Sequence, residues 1–342
     1  MITKKALKNL ELFANDIYPE FAIQYRKYSG VRFQDPDKIQ VKDCVGFLED
    51  CITYKLENNL KFKNNPFLKL FSEAVFGGYR SATKDHKVCD FREQKAALLQ
   101  SAYSIVMDDD QREKFDNAES FEDAQSVLDS SPQIKTLDAW LELFEDARAA
   151  FPTLLDDNVS IANSVFHTDP VMSDNSIYVI NWGGVLVEEE KEDMGDDIKM
   201  FLGHECSHLL NEKVGKLHSK KTDPNLSKES RADYGMLDEG FAFFGGLRST
   251  LNKQSSKYSL PVALGARRVC SVVKSIADKT LGLLPKYKKS ENKYKQNIQM
   301  YDFIMHVALN HGLEEVYKLV ANPEHLTKQE IANPKLYSKR FN

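Results

Sequence analysis

No stretch of this sequence approaches 18 consecutive apolar residues, so nothing in it reads as a membrane span. A surplus of basic residues is also missing: 46 Lys and Arg stand against 51 Asp and Glu, a net charge of −5. A general nucleic-acid binder needs positive charge to neutralise phosphates, so that class is set aside. The opening "MITKKALKNLELFAND" has lysines but no unbroken apolar run, because Lys8, Asn9, Glu11 and Asn15 interrupt it. The expectation is a chain without a secretory signal peptide. Cysteines are few and scattered, the five being Cys44, Cys51, Cys89, Cys206 and Cys270. An odd count outside a secretory context points to free thiols in a reducing compartment. Cys44 and Cys51 can share one helix face and read as buried apolar thiols. Internal repeats and low-complexity linkers are absent as well.

What is there is ordinary in bulk. The chain has 342 residues, 42% hydrophobic and 28% charged, enough for a sizeable core in one large or two ordinary domains. Apolar residues recur at helical spacing in "ALKNLELFANDIYPEFAIQY", "VGFLEDCITYKL", "NPFLKLFSEAVF", "EQKAALLQSAYSIVM" and "TLDAWLELFEDARAAF". "DDDQREKF" reads as a helix start with acids on its first turn, and the polar step around Ser131 and Pro132 as a break.

The character then changes. "NVSIANSVF" (158–166) and "NSIYVINW" (175–182) are short and β-rich. An acidic run from Glu188 to Asp197 reads as a solvated loop. Further helices are expected from Asp196 through "DIKMFLGHECSHLLNEK" and over 229–248, 260–281 and 293–321. Lys-rich loops, "KVGKLHSKK" and "KYKKSENKYK", lie between them, and a polar, weakly ordered tail follows residue 322. The expected fold class is α+β, mostly α: a helical region over 1–150, then a part over 151–342 with a small mixed sheet and a helical core.

"FLGHECSHLL" carries chemistry. On a helix that turns about 100° per residue, His204 and His208 fall on one face about 40° apart, with Glu205 beside them. Two imidazoles converging with a neighbouring carboxylate suit a zinc ion. The glutamate is then placed to take a proton from a metal-activated water. The surrounding apolar helix looks buried, and a buried His pair with a Glu needs a partner. The metzincin continuation fails, because Asn211 and Val214 occupy its glycine and last histidine positions. A cysteine-ligand site also fails, since the nearest upstream cysteine, Cys89, lies far back in a helical context.

Downstream, "MLDEGFAFFGGL" (236–247) resembles the glutamate helix of the gluzincin metallopeptidases, the group that includes thermolysin and the aminopeptidase-N-like enzymes. The resemblance rests on His204, Glu205, His208 and Glu239, with Gly240 and Ala242 as context. It implies that His204, His208 and Glu239 are zinc ligands and that Glu205 is the general base. Asp233 is a rival ligand, and Asp233 and Asp238 are otherwise outer or capping carboxylates. "SIYVINW" sits where the group has its active-site strand, whose edge pairs with an extended peptide. "MYDFIMHVALNHGLEEVYKLV" resembles a later helix of the group, which makes Tyr301 and His306, along with Tyr294, candidates for steadying an oxyanion.

Two departures narrow the resemblance. No Gly-Ala-Met-Glu-Asn motif is present, which favours an endopeptidase, and Phe243 stands where thermolysin has an aspartate one turn after its ligand glutamate. The implied function is a zinc-dependent endopeptidase of narrow specificity acting on protein or peptide. The alternatives are an inactive peptidase-fold binding module and a zinc hydrolase of a non-peptide amide. The helical first 150 residues would cover the cleft or select substrate. A protease without a signal peptide is expected in the cytoplasm under narrow specificity, or exported by another route, such as into a host cell.

Overall fold

In the computed structural model, which describes residues 2–84, 88–89, 91–149, 166–179, 196–250 and 299–341, the first long apolar pattern folds as α1 (Lys4–Ser29). Leu10, Ala14, Ile17, Phe21 and Tyr25 recur three and four apart and are all buried, as expected of a helix with one inward stripe. The chain divides into two units, each made of separated segments: Met1–Asn9, Val41–His167 and Tyr178–Glu189 in one, Leu10–Gln40, Thr168–Ile177 and Glu190–Asn342 in the other.

The first unit is a helical core. After β1 (Ile2–Thr3) and β2 (Gln40–Lys42) come α2 (Cys44–Asn58), α3 (Leu60–Lys63) and α4 (Pro66–Ala82), then β3 (Val88–Cys89), which pairs antiparallel with β1. α5 (Phe91–Val106), α6 (Asp109–Asp116), α7 (Phe121–Asp129) and α8 (Ile134–Ala149) follow. Their starts are chemically specified. Asp43 accepts from the Val45 and Gly46 N–H groups at the head of α2, and Asp108 forms a reciprocal cap with Gln111 at the head of α6. Trp140 fills the centre with no exposed surface, ringed by Phe71, Phe76 and Phe144, and its indole N–H donates to Ser72 Oγ at 3.3 Å. Cys44 and Cys51 are both buried on α2 and form no disulfide.

A three-stranded sheet has the order β2–β5–β4, with β4 at Phe166–His167 and β5 at Ser176–Val179. Phe166 faces Val179 and His167 faces Tyr178 in an antiparallel pair. β5 is thus the middle strand, and the expectation that its edge receives a peptide is corrected for these residues: both edges are already hydrogen-bonded. Of the expected strand over 158–166 only Phe166 is among the described residues, and the rest of that segment, the acidic run before Asp196, the helix over 260–281, Tyr294 and the second Lys-rich loop lie outside them.

The second unit carries α9 (Asp196–Gly215), α10 (Leu217–Thr222), α11 (Lys228–Thr250), a helix over residues 299–311 (α12), α13 (Leu313–Ala321), α14 (Lys328–Ala332) and α15 (Pro334–Ser338). Three expectations change here. The stretch "KVGKLHSKK" is not a loop: it turns once at Lys216, which has a positive φ of 55°, and continues as α10, with Leu217 and His218 buried. The helix expected through 321 is cut at Gly312, whose φ of 88° separates α12 from α13. The tail is ordered, anchored by buried Ile331 and Tyr337, by a Tyr337 hydroxyl donating to Glu315 Oε1 at 2.6 Å, and by the Arg340–Glu330 pair. Among the described residues no helix is long and apolar enough to cross a membrane.

Candidate metal centre

α9 and α11 pack directly on one another in the second unit. The close approach is possible because the contact is lined by small residues. A Cβ at Gly246 would stand 2.6 Å from the Met200 carbonyl oxygen and 3.2 Å from His204 Cβ; one at Gly203 would stand 2.6 Å from Ser249. On the other side of α11, Met300 and Ile304 of α12 press on Gly240, where a Cβ would lie 2.3 Å from Met300 Cγ. Gly240, the residue after Glu239, is thus where α12 packs closely on α11.

This packing brings together His204, His208 and Glu239, a group that could hold a metal ion, with one ligand atom from each lying within 4.8 Å of the others. His204 Nε2 is 3.1 Å from His208 Nε2, and Glu239 Oε2 is 3.6 Å and 3.9 Å from the two nitrogens. Ligands at a tetrahedral zinc, bonded at about 2.0–2.2 Å, stand roughly 3.3–3.6 Å apart. The edges of 3.1, 3.6 and 3.9 Å fall on either side of that range, and the donor set, two imidazoles and a carboxylate, is one that zinc takes.

The surroundings set the charge and orientation of these side chains. His208 Nδ1 lies 2.9 Å from Oδ1 of Asp238, which has no exposed surface. That contact sets a carboxylate oxygen beside Nδ1, and a ring holding its one proton there would turn the Nε2 lone pair toward the group. Asp238 Oδ2 takes Lys221 Nζ at 2.9 Å, and Asn211 Nδ2 donates to the Asp238 carboxylate as well. Burial alone would push Asp238 up, yet His208 and Lys221 hold it well below the usual carboxylate range. Burial likewise opposes charge on Glu239, and His204, then His208 and Lys221, offset it and bring the carboxyl down to about 2. On His208 burial works against the cation, and Asp238 first, then Glu239 and Glu205, raise the ring to about 9. The two carboxylate shifts favour ionised groups around the point that a cation would occupy, and the raised His208 means that a metal would have to displace a ring proton at neutral pH.

Glu205 is buried directly after His204, and its Oε2 accepts from the Thr168 hydroxyl at 3.0 Å. The ring of Phe243 stands edge-on to His204 at 4.8 Å and packs against that imidazole. Asp233 is not in the group: it pairs with Lys328 at 3.2 Å. His218 is buried with Nε2 3.3 Å from Asp169 and is likewise outside the group. Tyr301 and His306 lie on α12. His306 meets Ser338 Oγ at 3.0 Å through Nε2 and Asn310 at 3.3 Å through Nδ1.

Sequence reasoning did not find Thr168, Lys221, Asn211 or Tyr25. Only Asn211 left a signal, as a polar residue inside the apolar turn "HLLNEKV". No protein-family model, no curated protein and no solved structure matches the chain.

Proposed function

We propose that this chain is a zinc-dependent metallopeptidase, an endopeptidase of narrow specificity, with His204, His208 and Glu239 as the metal ligands. The observation that carries the reading is the convergence of three donor atoms from the HExxH helix and the next long helix within 4.8 Å, with Asp238 2.9 Å from the far nitrogen of His208. Zinc bound there would supply a Lewis acid and an acidified water at an open fourth position. Glu205 follows His204 in the chain and is the general base: it takes the proton of the attacking water and passes it to the leaving amine. Thr168 holds one Glu205 oxygen, which leaves the other for that proton. Tyr301 and His306 are the proposed oxyanion residues.

The test is Glu205→Gln. We expect one zinc per chain in both proteins, by atomic emission, and loss of casein hydrolysis in the variant alone. Full hydrolysis by Glu205→Gln would sink the mechanism. One zinc per chain with no hydrolysis of any denatured protein by the unaltered chain would replace the peptidase by a metal-dependent binding module.

A further inference from the structure

Asn211 has no exposed surface and sits among Leu209, Leu210 and Val214 on α9. An amide buried there is costly unless every polar atom is paired. Its side chain lies 3.2 Å from the Asp238 carbonyl oxygen and 3.1 Å from Asp238 Oδ1. Both are acceptors, so the NH2 group faces Asp238 and Oδ1 faces away. That oxygen can only accept, and Tyr25 Oη, 2.8 Å from it, is therefore the donor. The direction of every hydrogen bond follows. Tyr25 donates to Asn211 and Asn211 donates to Asp238, whose Oδ1 stands 2.9 Å from His208 Nδ1 as an ion-pair contact. Tyr25 belongs to α1, in the same unit as α9 and α11, and its ring is held edge-on by Tyr317 at 4.7 Å.

We propose that Tyr25 and Asn211 are positioning residues of the metal centre. Their hydrogen bonds hold the Asp238 carboxylate in the one rotation that gives Oδ1 to His208 and Oδ2 to Lys221. Without them the carboxylate can turn about its terminal torsion, and His208 loses the carboxylate oxygen beside Nδ1. The helix near the start of the chain thus completes a site whose ligands lie some two hundred residues later. This inference rests on the metal reading above, and its test separates the two.

The experiment uses the whole chain, stripped of metal, and measures the zinc dissociation constant by competition with a fluorescent chelator. Tyr25→Phe removes one oxygen, and Asn211→Leu removes both hydrogen bonds in a similar volume. Circular dichroism confirms that each is folded. Tyr25→Phe is expected to weaken zinc binding about three- to tenfold, the worth of one ordinary hydrogen bond, and Asn211→Leu about 10–100-fold, as for an outer-sphere partner. Because the residues act in series, the double variant should bind no more weakly than Asn211→Leu. Tyr317→Phe, which leaves the Tyr25 contact ring in place, should lower the melting temperature and leave zinc affinity unchanged. If Asn211→Leu does not fold, Tyr25→Phe decides alone. Unchanged affinity in Tyr25→Phe, or affinity losses that simply add in the double variant, overturns the inference. An unaltered chain that takes up no zinc overturns the metal reading itself.

Discussion

Asp238 is the residue on which the candidate centre turns. It is buried, it faces His208 at 2.9 Å, and it is tied to Lys221 and Asn211. Replacing it with asparagine keeps the shape and changes the chemistry. The amide can present its NH2 to His208 Nδ1, which moves the ring proton to Nε2, the nitrogen needed as ligand. Asp238→Asn is expected to lower zinc affinity about 10–100-fold, read by chelator competition, while the protein stays folded. Affinity equal to the unaltered chain would remove Asp238 from the design. At this scale the sequence is readable where chemistry follows local spacing. His204, Glu205 and His208 fall on one helix face by arithmetic, and Glu239 is reached through a resemblance in its flanking residues. Asp238 is visible only as a nearby carboxylate. Tyr25 and Asn211 are 186 positions apart, and no periodicity links them.

Among elements, the pairing of α9 with α11 sets the distance between the histidines and Glu239. Gly246 is where that distance is fixed, since an added Cβ meets the Met200 carbonyl oxygen at 2.6 Å and backbone cannot swing aside. Gly246→Ala is expected to push the helices apart, at a cost of about 1–3 kcal/mol for overpacking. It should weaken zinc binding as well, because Glu239 retreats from the pair. A differential scan and a chelator titration on one preparation check both. A stable variant with unchanged affinity would mean that the contact has slack. The elements themselves were mostly legible, because a long amphipathic stripe such as that of α1 leaves a period of 3.6. α10 was not, since "KLHSKK" hides two buried residues among lysines whose stems can lie along apolar surface. The break at Gly312 was not either: a glycine inside a helical pattern ends the helix where it takes a positive φ, here 88°, which its neighbours do not announce.

Across the whole molecule, the residues of the candidate centre, from Tyr25 through Thr168, His204 and His208 to Glu239, belong to one unit, while Trp140 and its aromatic ring belong to the other. The grouping of Leu10–Gln40 with Glu190–Asn342 is not written in composition, because it depends on contacts between segments far apart in the chain. It has a thermodynamic consequence. Trp140 has no exposed surface, and truncating so large a side chain costs about 3–5 kcal/mol. That loss falls on the first unit. Trp140→Ala should therefore lower the first unfolding transition by many degrees, followed by circular dichroism. Below that transition, zinc should bind with the affinity of the unaltered chain, because none of the groups around His204, His208 and Glu239 has been touched. If Trp140→Ala weakens zinc binding as much as Asp238→Asn does while the protein is still folded, the centre depends on the first unit, and the assignment of its support to the second unit is wrong.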